Sequence, residues 1–161
     1  MSMAASRVDW LITASFAICA PDTGGARPRG TPQKHKRKQR SRKPNDPRRV
    51  LMYGKILELA LYRAEVLRAR GFNVIIPRTK ADAISAIEDG EFDAIVISYT
   101  LSSDTAEEIA ELARQKCPGC PVITISETGK ADRRLRPDVI VRADEGPSGL
   151  VKALEHAFRA Q

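Results

Sequence analysis

Five short apolar runs, set apart by amphipathic stretches and by glycine or proline, constrain the fold of this chain more than any other feature. Residues 50–53 (VLMY), 72–77 (FNVIIP), 92–98 (FDAIVIS), 121–126 (PVITIS) and 139–141 (VIV) have the length and β-branched content of buried strands. Between the first two, residues 56–70 place Leu57, Ala60, Leu61, Ala64 and Leu67 on one helical face and stop at Gly71. Residues 80–88 repeat the pattern on Ala83, Ile84 and Ile87 and end at Gly90. Residues 105–115 read as a third helix, with Thr105 and Glu108 at capping-box spacing. Pro147 opens a last helix with Leu150, Val151, Leu154 and Phe158 inward. Strand–helix alternation at this spacing requires a parallel sheet, because each parallel pair needs a crossover. The third run is apolar almost throughout, as in a central strand covered on both faces. The expected fold is α/β: a five-stranded parallel, doubly wound sheet.

Charge divides the chain unevenly. Of its 27 Lys+Arg, 11 fall in residues 27–49 (RPRGTPQKHKRKQRSRKPNDPRR) with Asp46 as the one acid, so the net charge of +7 belongs to this strap and the rest is mildly acidic. The strap is rich in Pro, Gly, Gln, Ser and like charge, and cannot bury enough surface to fold alone. Residues 1–48 are accordingly expected to be a disordered leader and basic strap, and 49–160 the folded domain. Lys34, Lys36, Arg37, Lys38, Arg40, Arg42 and Lys43 could neutralise phosphates of DNA or RNA without reading sequence. The strap offers no aromatic residue for base stacking, and no helix-turn-helix pattern follows it. Residues 10–20 (WLITASFAICA) fit a leader better than a signal peptide, because Asp9 intrudes and Ile18 stands where a small residue belongs before Cys19. No apolar run approaches the roughly 20 residues of a membrane span. Three cysteines do not make a disulfide-stapled secreted fold. No membrane partner is expected, and a reducing cytoplasm is the default compartment.

A parallel sheet of this kind binds ligands at the carboxyl ends of its strands, near the point where strand order reverses. The residues there are Tyr53-Gly54-Lys55, Ser98-Tyr99, Ser126-Glu127 and Arg142-Ala143. No glycine-rich phosphate loop follows the first run. Ser98 lacks a G-x-S-x-G elbow, and His35 in the strap and His156 in the last helix are badly placed for a triad. No enzyme, cofactor or metal site is expected. Cys117-Pro118-Gly119-Cys120 follows a helix, at the dipole end that disfavours a thiolate, and a zinc site lacks its second pair. A tight turn is the expected reading, with redox sensing as the alternative.

The order and spacing of these segments resemble a response-regulator receiver domain of the chemotaxis type, the phospho-acceptor module of bacterial two-component signalling. RRVLMYGK, followed after Gly71 by FNVII, resembles the family's opening strand, acidic pair, first helix and second strand. FDAIVIS resembles the third strand, which ends in the phosphorylated aspartate; CPVITIS resembles the fourth, with its terminal Ser/Thr; DVIVRA resembles the fifth, with its Lys-Pro. The similarity covers residues 49–160 and implies a flavodoxin-like receiver fold. Residues 127–141, with Gly129 and Pro137 inside, leave room for little more than one helical turn, so the fourth helix of the family is expected to be shortened or missing. That puts the family's usual dimer surface in doubt. Arg133, Arg134 and Arg136 are read there as a solvated loop.

Mapped residue by residue, the resemblance puts the acidic pair on Gly54 and Lys55, the phospho-acceptor on Ser98, the Ser/Thr switch on Ser126, and the lysine and proline on Arg142 and Ala143. The family's chemistry needs carboxylates to hold Mg²⁺ and to accept a phosphoryl group, and none stands at these positions. Lys55 and Arg142 could replace the cation, or the site could have drifted to soluble residues. The expected function is a degenerate, phosphorylation-independent receiver-like module that binds another signalling protein. The alternative is a nucleic-acid-associated protein tethered through the strap.

Overall fold

The computed structural model describes residues 46–160, so the leader and most of the strap lie outside it. The chain runs β1 (Arg49–Tyr53), α1 (Leu57–Ala69), β2 (Asn73–Ile75), α2 (Lys80–Asp89), β3 (Ala94–Ile97), α3 (Ser103–Lys116), β4 (Val122–Ser126), β5 (Val139–Arg142), a 3₁₀ turn (Ala143–Glu145) and α4 (Gly146–Arg159). The strands form one parallel sheet in the order β2-β1-β3-β4-β5, the doubly wound arrangement the alternation requires.

Side-chain alternation along the strands produces two cores. Val50, Met52, Val96, Ile123, Ile125 and Val141 meet α1 and α4 through Ala64, Leu67, Leu150 and Leu154. Leu51, Ile95, Ile97 and Val122 meet α2 and α3 through Ala83, Ile87, Ile109 and Ala113. The same aspartate device sets register at two places on the amino-terminal side of the sheet. Asp93 donates its N–H to Arg49 O and accepts from Arg49 N at 2.6 Å; Asp138 donates to Val122 O and accepts from Val122 N at 2.7 Å. Each closes a two-way bond between neighbouring strand starts, across β1 and β3 and across β4 and β5.

Several local expectations are corrected. Leu61 is 46% exposed beside Tyr62 at 62%, so the buried stripe of α1 is Ala60, Ala64 and Leu67. The capping box belongs to α2, where Thr79 and Asp82 exchange bonds, and not to Thr105 and Glu108. Helix α3 starts two residues earlier than its apolar pattern, because the Ser102 hydroxyl caps it by accepting from Thr105 N. Gly90 ends α2 at φ 64°, a conformation that costs glycine nothing.

Among the described residues no helix lies between β4 and β5. Segment 127–138 crosses α3 instead and inserts Leu135, 4% exposed, into the second core. Its arginines are exposed, as expected of a solvated loop, but two of them also form surface ion pairs. Arg134 pairs with Asp104 and Glu107 of α3 and with Asp132, and Arg136 pairs with Glu111. From the other side, Arg114 donates to Leu135 O at 2.5 Å and to Arg136 O. The end of the strap also belongs to the fold: Arg49 opens β1 and pairs with Glu91, while the Arg48 guanidinium lies 5.0 Å above the Phe158 ring, which stacks on Phe72.

Candidate functional site

Strand order reverses between β1 and β3, and the carboxyl ends of these strands carry Gly54 and Ser98. Ser98 N–H donates to Tyr53 O at 3.0 Å and holds the two ends together. The gap left for a side chain at position 54 is small. A Cβ built on Gly54 would stand 2.7 Å from Ser98 Cβ and 3.2 Å from both Ser98 Oγ and Thr100 Oγ1. Hydroxyls occupy the rest: Thr100 Oγ1 accepts from Lys55 N at 2.9 Å and donates to Ser98 Oγ at 3.2 Å. Ser98 is 6% exposed.

A cleft of about 320 Å³ opens beside this knot, lined by Tyr53, Gly54, Lys55, Arg78, Lys80, Thr100, Leu101, Ser102 and Thr105. No carboxylate lines it. Lys80 is held by Glu108 at 2.5 Å, and Asp82 is engaged in the α2 cap. Burial pushes the Tyr53 phenol above its usual range; nearby Lys80 opposes this and Asp82 adds to it. Tyr53 therefore stays a neutral hydroxyl at physiological pH.

The five mapped positions are only partly brought together. Gly54, Lys55 and Ser98 meet. Ser126, also 6% exposed, turns its hydroxyl to Lys130 O at 2.6 Å, inside the β4–β5 connection. Arg142 does not line the cleft. Its stem packs along Gly129, and its guanidinium grips Asp144 through Nε at 3.0 Å and Nη2 at 2.7 Å. That hydrogen bond holds the Asp144 carboxyl below the usual carboxylate range. The notion that Lys55 and Arg142 jointly replace a cation is thus corrected: Arg142 has taken a local acid two residues away. Arg78 and Lys80 stand in the cleft instead. The strand ends that pointed to the site were those of β1, β3, β4 and β5, and not the end of β2, three residues before Arg78.

Mg²⁺ of the receiver family does not fit this donor set. Hard divalent cations need oxygen ligands with negative charge, and the positions present a glycine, a lysine and a buried serine already engaged with Thr100. Among the described residues no group of three or more His, Cys, Asp or Glu is placed to hold a metal. At the opposite end of the sheet, Cys117 and Cys120 form a disulfide with Cα atoms 5.4 Å apart, across a turn closed by Cys120 N and Cys117 O. The expected turn is present, and the bridge adds a covalent link to it. The strap residues Lys34, Lys36, Arg37, Lys38, Arg40, Arg42 and Lys43 lie outside the described residues. Within the described residues no helix is long and apolar enough to cross a membrane.

Strand order, helix placement and a site at the switch point define a response-regulator receiver fold. Solved receivers superpose on it. A response regulator receiver protein from Sinorhizobium medicae is 23% identical, with 71% of this chain and 97% of that one covered at a TM-score of 0.60. A chemotaxis response regulator of Vibrio cholerae gives 14% identity, 69% and 98% coverage and 0.60. A response regulator of Thermotoga maritima, solved in complex with Mg²⁺ and BeF, gives 15%, 68% and 98%, and 0.60. No protein-family model and no curated protein matches the sequence.

Proposed function

We propose that this domain is a receiver-fold signalling module that works without accepting a phosphoryl group and acts by binding another signalling protein. The observation that carries the reading is the packing at the switch point: Gly54 closes on Ser98 and Thr100, and no carboxylate is at hand to bind a divalent cation or attack phosphorus. A serine nucleophile would need an activating base, and the Ser98 hydroxyl faces another hydroxyl. The missing fourth helix supports a contact surface unlike that of the family, because Ile140 on edge strand β5 is left 42% exposed. Catalysis is not part of this reading. The test is a titration of the full chain with Mg²⁺ and beryllofluoride, followed by backbone amide shifts. No saturable change is expected, and saturable shifts clustered around Ser98 and Ser126 would overturn it.

A further inference from the structure

The cleft at the switch point has a charge problem that nothing in the fold resolves. Three cationic side chains from two different crossovers line it: Lys55 after β1, and Arg78 and Lys80 after β2. Glu108 neutralises Lys80, but among the described residues neither Lys55 nor Arg78 has an ion-pair partner. Every other polar side chain of the lining is a hydroxyl: Tyr53, Thr100, Ser102 and Thr105. Ser102 Oγ donates to Thr105 Oγ1 at 2.9 Å, which leaves the Thr105 proton available. The cleft thus presents two uncompensated positive charges and hydroxyl donors, with no carboxylate among its lining residues.

We propose that this cleft binds a small phosphate monoester through Lys55, Arg78 and the hydroxyl of Thr105. A phosphate monoester carries about −1.5 to −2 charges at neutral pH, which matches two unpaired cations, and its three terminal oxygens suit an array of convergent donors. A bare phosphate would leave much of the 320 Å³ empty, and the Tyr53 ring and Leu101 offer apolar contact to an organic substituent. The ligand would sit where receivers hold their cation, with the sign of the site reversed. The inference does not rest on the protein-contact reading above, since it needs neither a partner nor Mg²⁺.

The test is an amide-shift titration of the full chain with inorganic phosphate and with phenyl phosphate, without Mg²⁺ and at constant ionic strength. Saturable shifts are expected at Gly54, Lys55, Arg78 to Lys80 and Ser102 to Thr105, with phenyl phosphate binding more tightly. Lys55→Ala and Arg78→Ala should each weaken binding about tenfold or more, the scale of one charged hydrogen bond. Both side chains are exposed, so the variants keep the fold, and unshifted amides elsewhere verify this. Lys152→Ala, exposed on α4 across the sheet, should leave affinity unchanged. Shifts confined to residues 27–49, shifts that do not saturate, phenyl phosphate binding no more tightly than phosphate, or unchanged affinity in Lys55→Ala and Arg78→Ala would each overturn the proposal. A response to beryllofluoride would instead overturn phosphorylation independence, so the two readings fail separately.

Discussion

Replacing Gly54 by alanine adds one methyl group at the tightest point of the switch-point packing. Its Cβ would lie 2.7 Å from Ser98 Cβ, about 1 Å inside normal carbon–carbon contact, and 3.2 Å from two hydroxyl oxygens. The neighbours cannot swing away freely. Ser98 N is bonded to Tyr53 O at 3.0 Å, and the Ser98 hydroxyl is tied to Thr100, which is tied to Lys55 N. Relief therefore requires β1 and β3 to part at their carboxyl ends or the hydroxyl chain to break. Overpacking of this kind costs about 1–3 kcal/mol, and alanine's lower unfolded-state entropy returns only about 0.4–1 of it. A net loss of about 1–2 kcal/mol lowers the urea midpoint by roughly 0.5–1 M at a slope near 2 kcal/mol/M. Urea denaturation followed by far-ultraviolet circular dichroism reads this directly. The decisive comparison is Gly54→Ala in a Ser98→Gly background, where the clashing Cβ is gone and the penalty should fall below about 0.5 kcal/mol. Equal penalties in both backgrounds, or none in either, would refute the steric account.

Two further outcomes concern the segment that replaces the fourth helix. Arg114→Ala removes donors to two carbonyls of that segment and should cost about 1.5–3 kcal/mol, whereas Arg134→Ala removes only solvent-screened surface ion pairs and should cost clearly less. Faster amide exchange across 127–138 in Arg114→Ala alone is the expected signature, and the reverse order would contradict it. Acid should weaken the fold through Asp132 and Asp144. Hydrogen bonds from the Arg134 backbone and guanidinium lower the first, and the Arg142 guanidinium lowers the second. Because these carboxyls titrate lower when folded, their stabilisation is present above the unfolded value near 3.9 and is lost as the pH falls through the folded values. The urea midpoint should hold between about pH 7 and 5 and drop below about 4, with a shallower drop in the Asp132→Asn, Asp144→Asn double variant; an unchanged slope would exclude this pair as the cause.

The architecture was legible in the chain because it rests on local periodicity and punctuation. The apolar runs and the stops at Gly71 and Gly90 require parallel strands joined by helices, whatever their partners. The scarcity of room between Ser126 and Val139 likewise announced that no full helix would form there. The positions of Gly54, Lys55 and Ser98 at the ends of β1 and β3 also follow from sequence, since strand ends are marked by where the apolar run stops. Periodicity does not say which of several acids a cation will choose, because that depends on distances between elements far apart in the chain. Arg142 therefore looked like a pocket residue until its bond to Asp144 was seen, and the surface pairing of Arg134 and Arg136 with the acidic face of α3 was equally hidden. The gathering of Lys55, Arg78 and Lys80 around one cleft has the same origin. Lys55 follows β1 while Arg78 and Lys80 follow β2, and only the packing of these two crossovers makes them neighbours.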